Sequence, residues 1–138
     1  MPNSLYPLWS QEILKGTANN LLNSTEGANG VFSALVDTGV YTYSTAHQFF
    51  SSLSGIIGTD QEILTKTQVT GTFDGTDITY PAVTGATVEA LVLYRKNAGA
   101  NTTWPLIAYI DTGVGGLPFT PNGGNAIITW SASGIFKL

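Results

Sequence analysis

The chain has 138 residues, of which five are Lys or Arg and nine are Asp or Glu, against 43% hydrophobic residues, 16 Gly and no Cys. Charged residues make up 10%, less than half the usual share of about a quarter. With Val, Ile, Leu and aromatic residues plentiful, this excludes charge-rich disorder and implies one folded domain that needs neither disulfide nor metal to be stable. The net charge is −4, and the basic residues Lys15, Lys66, Arg95, Lys96 and Lys137 are scattered. Binding to a nucleic-acid backbone or to an anionic membrane surface is thereby disfavoured. Absence of Cys excludes thiolate catalysis and thiolate metal sites.

Taken in chain order, Met1-Pro2-Asn3-Ser4-Leu5 has neither a basic nor an apolar stretch of signal-peptide type, which predicts a protein made in a cytoplasm. Pro7 to Lys15 predicts a short helix, with Pro7 at its start and Gly16 at its stop. Residues 16–30 are turn formers and read as a loop around Leu21 and Leu22. From Val31 the pattern becomes period-two and β-branched, predicting strands at Val31 to Asp37, Glu62 to Val69, Asp77 to Val83, Thr87 to Arg95, Pro105 to Asp111, Ala126 to Ser131 and Gly134 to Leu138. One helical interruption is predicted at Ser44 to Leu53, with Ala46, Phe49, Phe50 and Leu53 on one face. Short turn-rich separators make the strands antiparallel neighbours. The expected fold is mainly β, an antiparallel β-sandwich or flattened barrel of about seven strands with one packed helix and an N-terminal arm or short helix. Residues 1–30 form the N-terminal segment and 31–138 the β-domain.

No motif points firmly to catalysis. Asp37-Thr38-Gly39 and Asp111-Thr112-Gly113 each follow an apolar strand, as the catalytic loops of aspartic proteases do. They lie too close together in the chain for two protease lobes, and each is followed by Val, so they are assigned to capped turns. His47 is the sole histidine, and no nucleophile-elbow sequence accompanies it. Asp60, Glu62, Asp74, Asp77 and Glu89 are acids whose spacing selects no catalytic pair. Asp74-Gly75-Thr76-Asp77 lacks the ligand density of a dedicated cation loop and reads as a hairpin turn. Trp9, Trp104 and Trp130, with Tyr6, Tyr41, Tyr43, Tyr80, Tyr94 and Tyr109, suit either a sugar-binding face or ordinary sheet filling, and Tyr94 and Tyr109 are expected to pair across neighbouring strands. No catalytic, cofactor-binding or metal-binding residue is assigned, and no enzymatic activity is expected.

The chain resembles a family of small proteins encoded among the structural genes of tailed bacteriophages. The resemblance rests on Ser4-Leu5-Tyr6-Pro7, Ala34-Leu35-Val36-Asp37-Thr38, Tyr41-Thr42-Tyr43 and Val69-Thr70-Gly71-Thr72-Phe73-Asp74. It continues through Glu89-Ala90-Leu91-Val92-Leu93-Tyr94, Leu106-Ile107-Ala108-Tyr109-Ile110-Asp111-Thr112, Gly116-Leu117-Pro118, Thr120-Pro121-Asn122-Gly123-Gly124 and Ile135-Phe136-Lys137-Leu138. It covers nearly the whole chain, departing at residues 16–30, which are longer and richer in Asn. It implies a non-enzymatic virion component of the capsid cement or decoration type, a homo-oligomer and commonly a trimer, bridging subunits of the major capsid protein on the capsid surface. The alternatives are a tail, neck or fibre-base component, or a carbohydrate-binding module on the virion. Leu5, Tyr6, Leu8 and Trp9 suit an interaction arm docking on a neighbour, while burial of the same segment as a helix over its own sheet is equally compatible with the pattern.

Overall fold

A computed structural model of the chain describes residues 3–23, 26–27 and 29–138; positions 1–2, 24–25 and 28 of the predicted N-terminal segment lie outside them. The described strands are β1 (Ser4–Leu5), β2 (Val31–Val36), β3 (Ile56–Glu62), β4 (Thr67–Val69), β5 (Thr72–Asp74), β6 (Ile78–Tyr80), β7 (Ala90–Arg95), β8 (Leu106–Ile110), β9 (Ala126–Ile128) and β10 (Phe136–Lys137). One α-helix, α1, spans Pro7–Lys15. The strands form a five-stranded sheet in the order β1-β8-β7-β2-β3, a three-stranded sheet β10-β5-β4 and a two-stranded sheet β6-β9, all antiparallel. This is the expected sandwich-like architecture without barrel closure. Among the described residues, no helix is long and apolar enough to cross a membrane.

The large sheet is covered on both faces. Ala34 to Val36, Ala90 to Tyr94 and Leu106 to Ile110 are buried without alternation, as strands sandwiched between two layers must be. Leu35 and its partner Leu91 face the smaller sheets; Ile57, opposite Leu35, reaches Gly85, and the Tyr80 hydroxyl donates to the Ser33 carbonyl at 3.0 Å beside the β2–β3 bulge. Phe32, Tyr94 and Tyr109 lie on the opposite face, covered by residues 41–53 and 101–104, where Tyr43 meets Tyr109 and Phe50 meets Tyr94. The register of β7–β8 pairs Tyr109 with Val92, and a bulge after Leu93 sets Tyr94 opposite Leu106, so the expected Tyr94–Tyr109 cross-strand pair does not form.

Two further expectations are corrected. Ser44 to Leu53 is not an α-helix: the segment turns at Ser44, whose hydroxyl accepts the Ala46 N–H, and keeps only a 3-10 turn at Phe50–Ser52. Its backbone is drawn into sheet-like bonds, Phe50 N–H to the Trp104 carbonyl and Leu106 N–H to the Gln48 carbonyl, which an α-helix would forgo. Asp74, assigned to a hairpin turn, is the last residue of strand β5, and the reversal between β4 and β5 occurs earlier at Thr70-Gly71, where both residues have positive φ as a two-residue hairpin demands.

The predicted N-terminal helix forms. Pro7 opens it, and Gly16 ends it at φ 74° while the Thr17 N–H bonds back to the Glu12 carbonyl. The segment is not a separate arm. β1 forms the edge of the large sheet through Ser4↔Tyr109 and Leu5↔Ala108, and α1 continues along the same edge. Tyr6 reaches Tyr41 and Tyr43 on one side of the sheet, and Trp9 stands edge-on to Phe136 of the smaller sheet. The N-terminal segment therefore closes the gap between the two layers.

Candidate functional site

The antiparallel order explains how the two Asp-Thr-Gly motifs meet. β2 and β8 both flank β7 and run in the same direction, so Asp37-Thr38-Gly39 and Asp111-Thr112-Gly113 emerge at one end of the sheet on either side of Glu89. A cleft of about 720 Å³ opens there, lined by Thr38, Tyr43, Glu89, Tyr109, Asp111 and Thr112 among others. Its walls are held by side chains. The Gly39 N–H donates to Asp37 Oδ1 at 2.7 Å, closing a capped turn, and the Thr38 N–H donates to Glu89 Oε2 at 3.0 Å. Across the cleft, Asn3 Oδ1 accepts the N–H groups of Asp111 and Thr112 at 2.8 and 3.0 Å, while Asn3 Nδ2 donates to the Thr112 carbonyl.

The strand ends that carry Asp37 and Asp111 are two inter-strand spacings apart, about 10 Å. With the Asp37 carboxylate committed to its own turn and the Asp111 and Thr112 N–H groups held by Asn3, the arrangement is that of two strand ends fastened by side chains and not of two carboxyls sharing a proton. Glu89 and Asp111 do line one cleft, a pairing that residue spacing had not selected. The signal for it lay in strand topology, because only the sheet order places residues 89 and 111 side by side.

Tyr41 and Tyr43, which line the cleft, belong to a chain of hydrogen-bonded aromatic side chains that runs down to the buried Tyr6. Tyr6 Oη and Tyr41 Oη share a hydrogen bond of 2.7 Å, Tyr41 Oη lies 2.9 Å from His47 Nδ1, and the Tyr43 hydroxyl donates to the Leu5 carbonyl at 3.0 Å. Burial pushes the Tyr6, Tyr41, Tyr43 and Tyr109 phenols upward, so all four are neutral hydrogen-bonding groups at ordinary pH. His47 is thus tied into the support of this wall.

The four residues assigned to an interaction arm divide. Tyr6 and Trp9 are buried, Trp9 with its indole N–H donating to the Asn20 carbonyl at 3.0 Å, whereas Leu5 and Leu8 are half-buried. An arm free to dock on a neighbour would need these rings outside; within this chain they complete its own core. Most of the aromatic residues considered for a sugar-binding face are likewise interior: Tyr41, Tyr80, Tyr94, Tyr109 and Trp130 are buried, leaving Tyr43 and Trp104 half-buried.

Asp74 and Asp77 also serve local structure. Asp74 Oδ1 accepts the Gly75 N–H, and Asp77 Oδ1 accepts the Trp130 N–H, tying β6 to the segment after β9. Among the described residues no group of three His, Asp or Glu side chains is placed to hold a metal. Comparison with known protein families and with curated proteins finds no match for the chain.

Proposed function

We propose that the chain is a structural protein of a tailed-bacteriophage virion, a homo-oligomeric cement or decoration protein that bridges major capsid protein subunits. The observation that carries this reading is the character of the surface. Leu14, Val40, Val69, Ile127 and Leu138 are exposed on a body with very few charges, Leu14 to 90%. Covering neutral surface strips little water from ions, and interface cores are depleted of Lys, Glu and Asp for that reason. The sequence resemblance to phage structural proteins supports the same assignment. Since Tyr6 and Trp9 are committed to the chain's own core, the exposed aliphatic side chains are the better candidates for contact with the capsid.

The test is to count copies in purified particles and to sediment the purified protein with expanded capsids. Hundreds of copies and co-sedimentation are expected. A few copies per particle would overturn the cement role and favour a tail, neck or fibre-base position.

A further inference from the structure

At the end of the large sheet remote from the Asp-Thr-Gly turns, four aromatic rings form a cluster that the virion reading does not use. Phe32 and Tyr94 are cross-strand partners on one face, their rings stacked at 5.9 Å and 22°. Trp104 stacks on Tyr94 at 6.0 Å and 8°, and Phe50 fills the angle between them, 4.5 Å from Tyr94 and 5.3 Å from Trp104. The rings are held in place: the Trp104 indole N–H donates to the Gly99 carbonyl at 3.0 Å, and the Tyr94 hydroxyl donates to Asp60 Oδ2 at 2.7 Å. Beside them is a groove of about 420 Å³, lined by the four rings with Asp60 and Lys96 among its other residues.

Two features give this groove an electrostatic sign. The Lys96 ammonium already sits 5.3 Å from the centroid of Phe32 and 5.2 Å from that of Trp104, within cation–π distance of both. The second Asp60 oxygen, Oδ1, is buried and accepts no hydrogen bond from the described residues. Ring faces and an undersatisfied carboxylate both attract positive charge. Lys96 satisfies that demand imperfectly, because a primary ammonium is strongly hydrated and seating it against ring faces costs it part of that hydration. A cation without N–H donors gives up less hydration on entering.

We propose that Phe32, Phe50, Tyr94, Trp104 and Asp60 form a binding site for a small organic cation of the quaternary-ammonium class, with Lys96 as the resident cation that the ligand displaces. Phe32 and Trp104 supply the ring faces, Tyr94 and Phe50 fix their spacing, and Asp60 supplies the counter-charge. Lys96 can swing out to solvent on its four-carbon stem. This assignment stands independently of the virion role.

The probe is choline or tetramethylammonium chloride, titrated into the whole protein at constant ionic strength with KCl as the reference salt. Binding is followed by amide and indole NMR shifts. Saturable shifts confined to Tyr94, Lys96 and Trp104 are expected, with several-fold tighter binding in Lys96→Met, weaker binding in Asp60→Asn and none in Trp104→Leu. Trp104→Phe serves as the second variant if Trp104→Leu fails to fold, and should bind with reduced affinity. Absence of saturable shifts in both the wild type and Lys96→Met would overturn the proposal. So would equal shifts with KCl, or wild-type affinity in the folded Trp104 variant.

Discussion

Tyr6 and Tyr41 share a hydrogen bond of 2.7 Å between their hydroxyl groups across 35 residues of chain, and both side chains are buried. That contact makes the N-terminal segment part of the cleft's foundation. Through Tyr6 and Tyr41 that segment is linked to His47, and through Asn3 it clamps the chain at Asp111 and Thr112.

Trp9→Ala is accordingly expected to destabilise the isolated protein by about 3–5 kcal/mol, the range for deleting a large buried aromatic side chain. Tyr6→Phe should cost about 1 kcal/mol, since it removes one buried hydrogen bond and leaves Tyr41 with His47. Urea unfolding of the purified variants measures both. Wild-type stability in Trp9→Ala together with loss of capsid binding would restore the arm.

Asp60 sets a pH dependence. Burial raises its carboxyl above the ordinary value, although the Tyr94 hydroxyl and Lys96 pull it down. The folded state therefore holds the Asp60 proton to a higher pH than the unfolded state. Its contribution to stability is fully present below the ordinary carboxylate pKa and is lost as pH rises through the elevated one. Asp60→Asn should flatten that part of the profile and raise Tm at neutral pH, in a series of thermal melts from about pH 4 to about pH 7. A lower neutral-pH Tm in the variant would count against the assignment. The same substitution weakens cation binding in the aromatic groove, so a better-folded variant that binds worse separates the two effects.

Gly116 has φ 101°, and a Cβ built there would collide with the Ile127 carbonyl oxygen. Gly116→Ala is expected to cost about 1–3 kcal/mol from backbone strain, with the clash adding to it. Gly113→Ala, at φ 74° with open space around it, is the milder comparison. Melting both variants in parallel checks the order, and a Gly113 variant less stable than the Gly116 variant would refute it.

Attachment to capsids through a neutral surface should tolerate salt. Co-sedimentation at about 1 M NaCl is expected to match that at about 0.1 M, because screening shortens the reach of charges and leaves apolar burial intact. Release of the protein at high salt would show that its few charges carry the contact.

Much of the β framework was legible in local pattern. Val31–Val36, Ala90–Arg95 and Leu106–Ile110 announce themselves as apolar, β-branched runs between turn formers, and Pro7 and Gly16 bracket α1. The errors fall where tertiary contacts outweigh local preference. Ser44 to Leu53 has helical spacing, yet Gln48 and Phe50 gain more by bonding to Leu106 and Trp104 across the fold. The single strand predicted at Glu62 to Val69 does not form: Glu62 ends β3, which begins at Ile56 and pairs with β2 through a bulge that breaks simple alternation, and Thr67–Val69 is the separate strand β4.

By itself the amino-acid order determined the fold class, the N-terminal helix, the two turns at Asp37 and Asp111, and a surface poor in charge, because each follows from a residue's own conformational preference or polarity. Only the tertiary structure decided that those turns flank Glu89, that Tyr6 and Trp9 lie inside, and that Phe32, Phe50, Tyr94 and Trp104 gather around the Lys96 ammonium. Those relationships depend on sheet order and register, which are set by how distant apolar faces cover one another, and no local window of sequence contains that information.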